Sequence, residues 1–323
     1  MALLEIQDLQ IDFGRGARAV RAVDRVSISL EPGETLGLVG ESGAGKSVTA
    51  LSIARLLPSP PAHFAGGRIL LEGRDVLAMS DRELRRIRGG VVSYVFQEPG
   101  ASLNPVFRVG SLIREALELH RPEAATTGEV IRLLELVGIP APEARIRSYP
   151  HELSGGMQQR VAIAIAIAAR PKILIADEPT TALDVTIQAQ IIELLRRLKD
   201  ELNMAMLLIS HNLGLVAGLA DRVSVLYAGQ IVESGRTREV LTEPLHPYTR
   251  ALLDSVPVPG AQANRLRGIP GSAPQMQELT AGCRFHPRCE LVQPSCVGAE
   301  VKLEMPVRDR EVRCLADIAA TAV

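Results

Sequence analysis

The sequence predicts an α/β fold with a small, irregular domain at its C-terminal end. Three observations predict it. Short β-rich runs alternate with amphipathic helical stretches over the first two-thirds of the chain. A glycine-rich loop joins an apolar strand to a helix start within residues 35–48. All four cysteines fall after residue 282, in a stretch repeatedly broken by proline.

Strands are expected at Leu3–Ile6, Val26–Leu30, Thr35–Val39, Gly67–Leu71, Val91–Phe96, Ile173–Ala176, Met206–Ser210 and Val223–Tyr227, each a run of branched apolar residues. Helices are expected to begin at Gly45, Asp81, Val109, Thr127, Gly155, Val185 and Asn212. The clearest is Asp184–Leu198, where Ile187, Ile191, Leu194, Leu195 and Leu198 share one face. Beyond about Leu241 prolines such as Pro244, Pro257, Pro259, Pro270 and Pro274 break the pattern. The expected division is therefore a main domain over 1–240 and a small one over 241–323.

The 323 residues are 46% hydrophobic and carry a formal net charge of -1, which excludes disordered and collagen-like chains. Near-neutral charge argues against a non-specific nucleic-acid binder. Five Phe, four Tyr and no Trp leave few platforms for stacking bases. The longest apolar run, Val161–Ala169, is far short of the roughly 20 residues a membrane-crossing helix needs. Glu5 and Asp8 stand where an export signal would be basic and then apolar. A soluble intracellular chain is the expectation.

Gly40-Glu41-Ser42-Gly43-Ala44-Gly45-Lys46-Ser47, followed by Val48, fits the phosphate-binding pattern GxxxxGK[ST] in its strand-to-helix context. Its glycines let backbone N–H groups approach phosphates, Lys46 suits the β- and γ-phosphates, and the Ser47 hydroxyl suits Mg²⁺. A nucleoside triphosphate is the expected ligand. The run Ile173–Ala176 ends in Asp177 and Glu178. Asp177 is the candidate Mg²⁺ residue, and Glu178 the candidate general base for an attacking water. Leu153-Ser154-Gly155-Gly156-Met157-Gln158 reads as a capped helix start with exposed backbone N–H groups.

At that segment the sequence resembles the ATP-binding cassette (ABC) ATPases, whose signature is LSGGQ. The resemblance implies a P-loop NTPase fold of the ABC type, with a helical signature subdomain at about 98–170. It implies that Leu153–Gln158 meets the γ-phosphate of ATP held by a second cassette. Further markers follow in order: Gln97 matches the Q-loop residue that senses Mg²⁺, Asp184 the D-loop, and His211 the switch histidine. Phe13 looks like the aromatic that stacks on adenine. The family's non-transport branches do not fit. Only 107 residues separate Lys46 from Ser154, with no coiled-coil heptads, and residues 1–282 hold no cysteine for zinc modules.

A finer likeness is to the ATP-binding subunits of dipeptide/oligopeptide permeases, a group that includes nickel importers. It rests on Phe96-Gln97-Glu98-Pro99, on Ser102-Leu103-Asn104-Pro105-Val106, and on His246-Pro247-Tyr248-Thr249-Arg250 opening a C-terminal helix. Met157, where the general signature has Gln, resembles the D-type subunit. Ala44 departs from the Cys often found there, at a position that needs only a small residue. The likeness implies an ATP-hydrolysing importer subunit for di- or oligopeptides. Its implied partners are an F-type cassette, two membrane-spanning permease subunits and an extracytoplasmic substrate-binding protein. It would sit at the cytoplasmic face of the inner membrane and touch the membrane only through the permeases, with no nucleic acid involved. Nickel or another small solute is the alternative cargo, and a soluble non-transport ATPase the alternative class.

Cys283, Cys289, Cys296 and Cys314 are separated by five, six and seventeen residues, which matches neither zinc-finger pairs nor ferredoxin runs. Spacing leaves zinc, a [4Fe–4S] cluster and free thiols or disulfides open. Resemblance to the permease subgroup favours the cluster, with His286 as a loop residue rather than a ligand.

Overall fold

A computed structural model describes residues 2–16, 19–181, 183–255, 268–277, 279, 281–307 and 309–316. The breaks expected at Pro257 and Pro259 lie outside these residues. The strands are β1 (Leu4–Phe13), β2 (Val20–Leu30), β3 (Thr35–Val39), β4 (Ala62–Leu71), β5 (Arg74–Asp75), β6 (Val92–Val95), β7 (Ile173–Asp177), β8 (Ala205–Ser210), β9 (Arg222–Tyr227), β10 (Gln230–Arg236), β11 (Glu304–Val307) and β12 (Arg310–Val312). The helices are α1 (Lys46–Ser52), α2 (Asp81–Ile87), α3 (Pro99–Ser102), α4 (Val109–His120), α5 (Thr127–Leu136), α6 (Pro142–Arg145), α7 (Gly155–Ile167), α8 (Val185–Leu202), α9 (Leu213–Leu219), α10 (Thr237–Thr242), α11 (Pro247–Asp254) and α12 (Ser295–Gly298). They gather into two compact units, one of 1–29, 35–77 and 210–323, the other of 30–34 and 78–209.

In the first unit, β2-β1-β4-β5 form an antiparallel sheet, with Leu4 opposite Leu71 and Phe13 opposite Ala62. The order β11-β12-β10-β9-β3 follows in a second sheet, where β3 and β9 run parallel. Every residue of β3 is buried, so its sequence TLGLV reads as a continuous apolar run rather than an alternation.

The second unit holds the parallel strands β6, β7 and β8, with Ser93 opposite Leu174 and Ile173 opposite Ala205. α7 is apolar on nearly every side, and Val161, Ile163, Ala164, Ala166 and Ile167 are all buried. It packs against α3, α4, α5 and β6. The start of α2 is fixed by a capping box in which Ser80 and Glu83 satisfy each other's backbone N–H groups.

Two elements depart instructively from expectation. β1 runs on past Ile6 because Asp8, at φ 46°, inserts an irregularity that resets the alternation to Leu9 and Ile11. β10 went unanticipated because its sequence, QIVESGR, carries a charge at its centre. That charge, Glu233, is fully buried and fully answered. Its carboxylate accepts from the N–H groups of Leu245 and His246, both at 2.9 Å, and from Arg310 at 2.7 Å.

Candidate functional site

The phosphate-type loop leaves the buried end of β3 and turns into α1. Gly40, at φ 150°, has no room for a side chain: a Cβ there would lie 2.1 Å from the Leu226 carbonyl oxygen. Gly45, at φ 103°, would meet the Ala22 carbonyl oxygen at 2.7 Å. Ala44 is buried, which agrees with a position needing only a small residue. The Lys46 side chain is 6% exposed and its Nζ donates to the carbonyls of Gly40 at 2.7 Å and Glu41 at 2.9 Å. Ser42, Gly43 and Ser47 are exposed. Beside Glu41–Ala44 a cavity of about 370 Å³ opens, walled also by Val20, Tyr227 and residues 273–277.

Phe13 ends β1 and is part-buried. His211 follows β8 directly and is exposed.

In the second unit, Asp177 closes β7 and Glu178 follows in a left-handed conformation, φ 46°. Glu178 Oε2 accepts from Gln97 Nε2 at 3.0 Å and from Thr181 Oγ1 at 2.9 Å. Its backbone N–H donates to the Ile209 carbonyl at 2.9 Å. Gln97 and Glu178, far apart in sequence, are thus brought into direct contact. Such backbone strain costs on the order of 1–3 kcal/mol and persists where surrounding bonds hold it.

The segment 153–158 caps α7. Ser154 is exposed and its Oγ accepts from the Met157 N–H, while Leu153 is buried beneath. Gln158 Nε2 ties back to the carbonyls of Pro150 at 2.9 Å and Leu153 at 3.2 Å. Gly155 stays exposed, whereas a Cβ on Gly156 would press Ile187 at 2.9 Å. Asp184 is exposed and caps α8, its Oδ1 accepting from the Ile187 N–H at 3.0 Å. Ala182, two residues before it, lies outside the described residues.

The four cysteines are unpaired thiols lining one small pocket, together with His246, Phe285 and His286. Cys283 donates its N–H to the Cys296 carbonyl at 2.8 Å. Burial pushes the Cys283 thiol up to about 11 and raises Cys289 and Cys314 as well. Among the described residues, no group of three His, Cys, Asp or Glu side chains stands ready-made for a metal ion.

Two residues that touch the loop were given no role from sequence. Tyr248, on α11, accepts the Glu41 N–H at 2.9 Å, and Arg288 grips the Glu41 carboxylate. The one available signal was Glu41 itself, a charge in a loop otherwise built of small residues before Lys46. Nothing in the spacing says which of 36 Lys and Arg answers it.

Comparison with known proteins adds a second line of observation. Residues 23–181 match the ABC transporter family, and residues 232–296 match the oligopeptide/dipeptide transporter C-terminal region. The oligopeptide transport ATP-binding protein OppD of Bacillus subtilis is 49% identical over 286 residues, 88% of this chain and 80% of that one. The dipeptide transport ATP-binding protein DppD of Haemophilus influenzae is 46% identical over 97% of this chain and 95% of its own. Among solved structures, cbiO1 of Clostridium perfringens, part of the ABC transporter complex cbiONQ, superposes with a TM-score of 0.65 at 27% identity, covering 75% of this chain and 91% of its own. The ADP- and phosphate-bound dimeric cassette MJ0796 gives 0.64 at 25% identity, covering 73% and 99%.

Proposed function

Because this chain belongs to the ABC transporter family, in the branch that carries the oligopeptide/dipeptide transporter C-terminal region, we propose that it is the ATP-hydrolysing subunit of a membrane importer of di- or oligopeptides. The observation that carries the reading is the pairing of both regions, in order, along nearly the whole of OppD- and DppD-like relatives.

The chemistry follows from the side chains. Backbone N–H groups of Gly43–Ser47 and the Lys46 ammonium bind the triphosphate, and Lys46 exchanges its present carbonyl partners for phosphate oxygens. The Phe13 ring, at the part-buried end of β1, stacks on the adenine. Ser47, Asp177 and Gln97 offer hydroxyl, carboxylate and amide oxygens, a donor set suited to Mg²⁺. Bound with the nucleotide, that ion neutralises charge on the β- and γ-oxygens. Glu178 takes the proton of the attacking water, and its Oε2 accepts a hydrogen bond from Gln97. His211 contacts the γ-phosphate. Leu153–Gln158 and Asp184 act on the ATP of an F-type partner cassette, in keeping with the exposure of Ser154 and Gly155.

Permease subunits are the docking partners, and a substrate-binding protein delivers the peptide on the far side. Among the described residues no helix is long and apolar enough to cross a membrane. Phe96, Val106 and Phe107 flank the Q-loop and are 41%, 70% and 50% exposed, an apolar surface fitted to a permease helix. The four thiols, soft donors in one pocket, support a [4Fe–4S] cluster as a C-terminal staple, with zinc as the alternative.

The test is reconstitution with permeases, partner cassette and binding protein in vesicles. Peptide should stimulate ATP hydrolysis and accumulate inside. Glu178→Gln should lower turnover about 10²–10⁴-fold while leaving ATP bound. Uptake of nickel without peptide would reassign the cargo, and near-normal turnover by the variant would remove Glu178 from its role.

A further inference from the structure

Glu41 is held at every polar atom it has. Its N–H donates to Tyr248 Oη at 2.9 Å, and its carbonyl accepts from Lys46 Nζ at 2.9 Å. Its carboxylate takes a two-pronged ion pair from Arg288, Nη1 to Oε2 at 2.7 Å and Nη2 to Oε1 at 3.0 Å. The Arg288 side chain is 5% exposed, and most of the rest of its fork is committed too. Nε donates to the Pro270 carbonyl at 2.8 Å, and Nη1 also reaches Tyr227 Oη at 3.3 Å. The guanidinium lies 5.9 Å from the Tyr227 ring centre and 6.0 Å from that of Phe285. Those two rings and Tyr248 form one cluster, with centroid separations of 4.5, 5.3 and 5.4 Å. A buried, planar fork that spends four of its five N–H groups, two of them on one carboxylate, is a built contact, unlike a surface ion pair.

On this basis we propose that Arg288 and Tyr248, supplied by the C-terminal region, are positioning residues for the phosphate-binding loop and set its affinity for ATP. The inference rests on the reading of Gly40–Ser47 as the ATP loop. Two physical effects carry it. First, Glu41 is the first residue after the Gly40 pivot, so fixing its N–H and carboxylate fixes the direction in which the loop leaves β3. The N–H groups that follow are thereby ordered before the nucleotide arrives, and less entropy is lost on binding. Second, the Glu41 carboxylate stands in the same loop as the bound triphosphate. Unpaired, it would repel that anion; neutralised by Arg288, it does not. Both residues bond Glu41 rather than the N–H groups of Gly43–Ser47, so the effect belongs in affinity rather than in the chemical step.

The experiment titrates full-length chain with a fluorescent ATP analogue and measures KM and kcat for ATP in the assembled transporter. Tyr248→Phe removes only the hydroxyl and leaves the ring packed. Arg288→Met removes the charge, Arg288→Lys keeps the charge without the fork, and Arg288→Met with Glu41→Gln removes both partners. Tyr248→Phe and Arg288→Met should each weaken ATP binding about five- to tenfold, the size of one or two such hydrogen bonds. KM should rise accordingly, with kcat within about twofold of the wild type. Arg288→Lys should fall between, and adding Glu41→Gln to Arg288→Met should recover part of the loss, since the uncompensated carboxylate is gone. Folded Tyr248→Phe and Arg288→Met chains that bind ATP within twofold of wild type would overturn the proposal, as would a loss confined to kcat. If Arg288→Met fails to fold, Tyr248→Phe decides alone. Wild-type chain that binds no ATP would instead overturn the reading of the loop itself.

Discussion

His246 is a residue at which burial and protonation are directly in tension. It is 1% exposed, and its Nδ1 accepts the Tyr248 N–H at 3.0 Å, capping α11. Burial pushes its pKa down to about 3 from an ordinary 6.5. A folded-state pKa below the unfolded one means that protonation favours unfolding. The stabilising contribution is therefore complete above about pH 6.5 and is lost as the pH falls toward 3. Between pH 7 and pH 5.5 the chain should lose about 1–1.5 kcal/mol of stability from this group, seen as a lower urea midpoint. His246→Asn keeps a capping acceptor without a titrating ring and should flatten that slope. An unchanged slope would place the acid sensitivity elsewhere. The same side chain shows what a sequence conceals: a histidine before Pro247 is visible, but that it is buried and neutral is a matter of what folds over it.

At the scale of elements, the most exposed chemistry lies at the start of α7. Ser154 caps the helix and faces solvent, so an arginine there would cost this chain one helix cap, about 1 kcal/mol, while filling the space that the proposed function gives to a partner's γ-phosphate. Ser154→Arg should leave ATP binding by this subunit intact and abolish most hydrolysis by the complex; the two are separated by nucleotide titration and steady-state turnover. Loss of binding at the chain's own loop would mean that the signature acts within one chain. Elements made of continuous apolar runs or clear amphipathic faces are legible in the sequence: β3 with both its ends, and α8 with its start but one turn short of its end at Leu202. β10 was not, because Glu233 at its centre is balanced by Arg310, a partner remote in sequence. β11 and β12 are too short to carry a period at all, and Met305–Pro306 reads as a break. The order of motifs made the candidate ATP site legible, whereas the contact of Gln97 with Glu178 and the strain at Glu178 needed three dimensions.

At the scale of the whole molecule, residues after 268 share a compact unit with the phosphate loop, tied by more than one link. Arg284 pairs with Asp24 and donates to the Ala228 carbonyl, while Arg313 reaches the carbonyls of Ile231 at 3.0 Å and Val301 at 2.7 Å. On the proposed reading, a metal cluster at the four cysteines adds a further staple to these links. Chain purified without oxygen should be brown and contain about four iron atoms, and replacing Cys296 with Ser should bleach it. Colourless protein with one zinc, or with no metal, would leave the ATPase reading standing and remove the cluster.

The pairing of β12 with β10, Glu233 opposite Val312 and Ser234 opposite Glu311, has a consequence for solubility. Without it β10, a fully buried run from Gln230 to Gly235, would present unanswered N–H and C=O groups to the solvent. Such an edge is a template on which a second copy could add its own strand and begin a fibril. The strand that now lies outermost, β11, is a poor template: it is exposed throughout, opens with Glu304 and contains Pro306, which has no N–H to give. The C-terminal hairpin thus shields the β10 edge from pairing with a second copy of this chain.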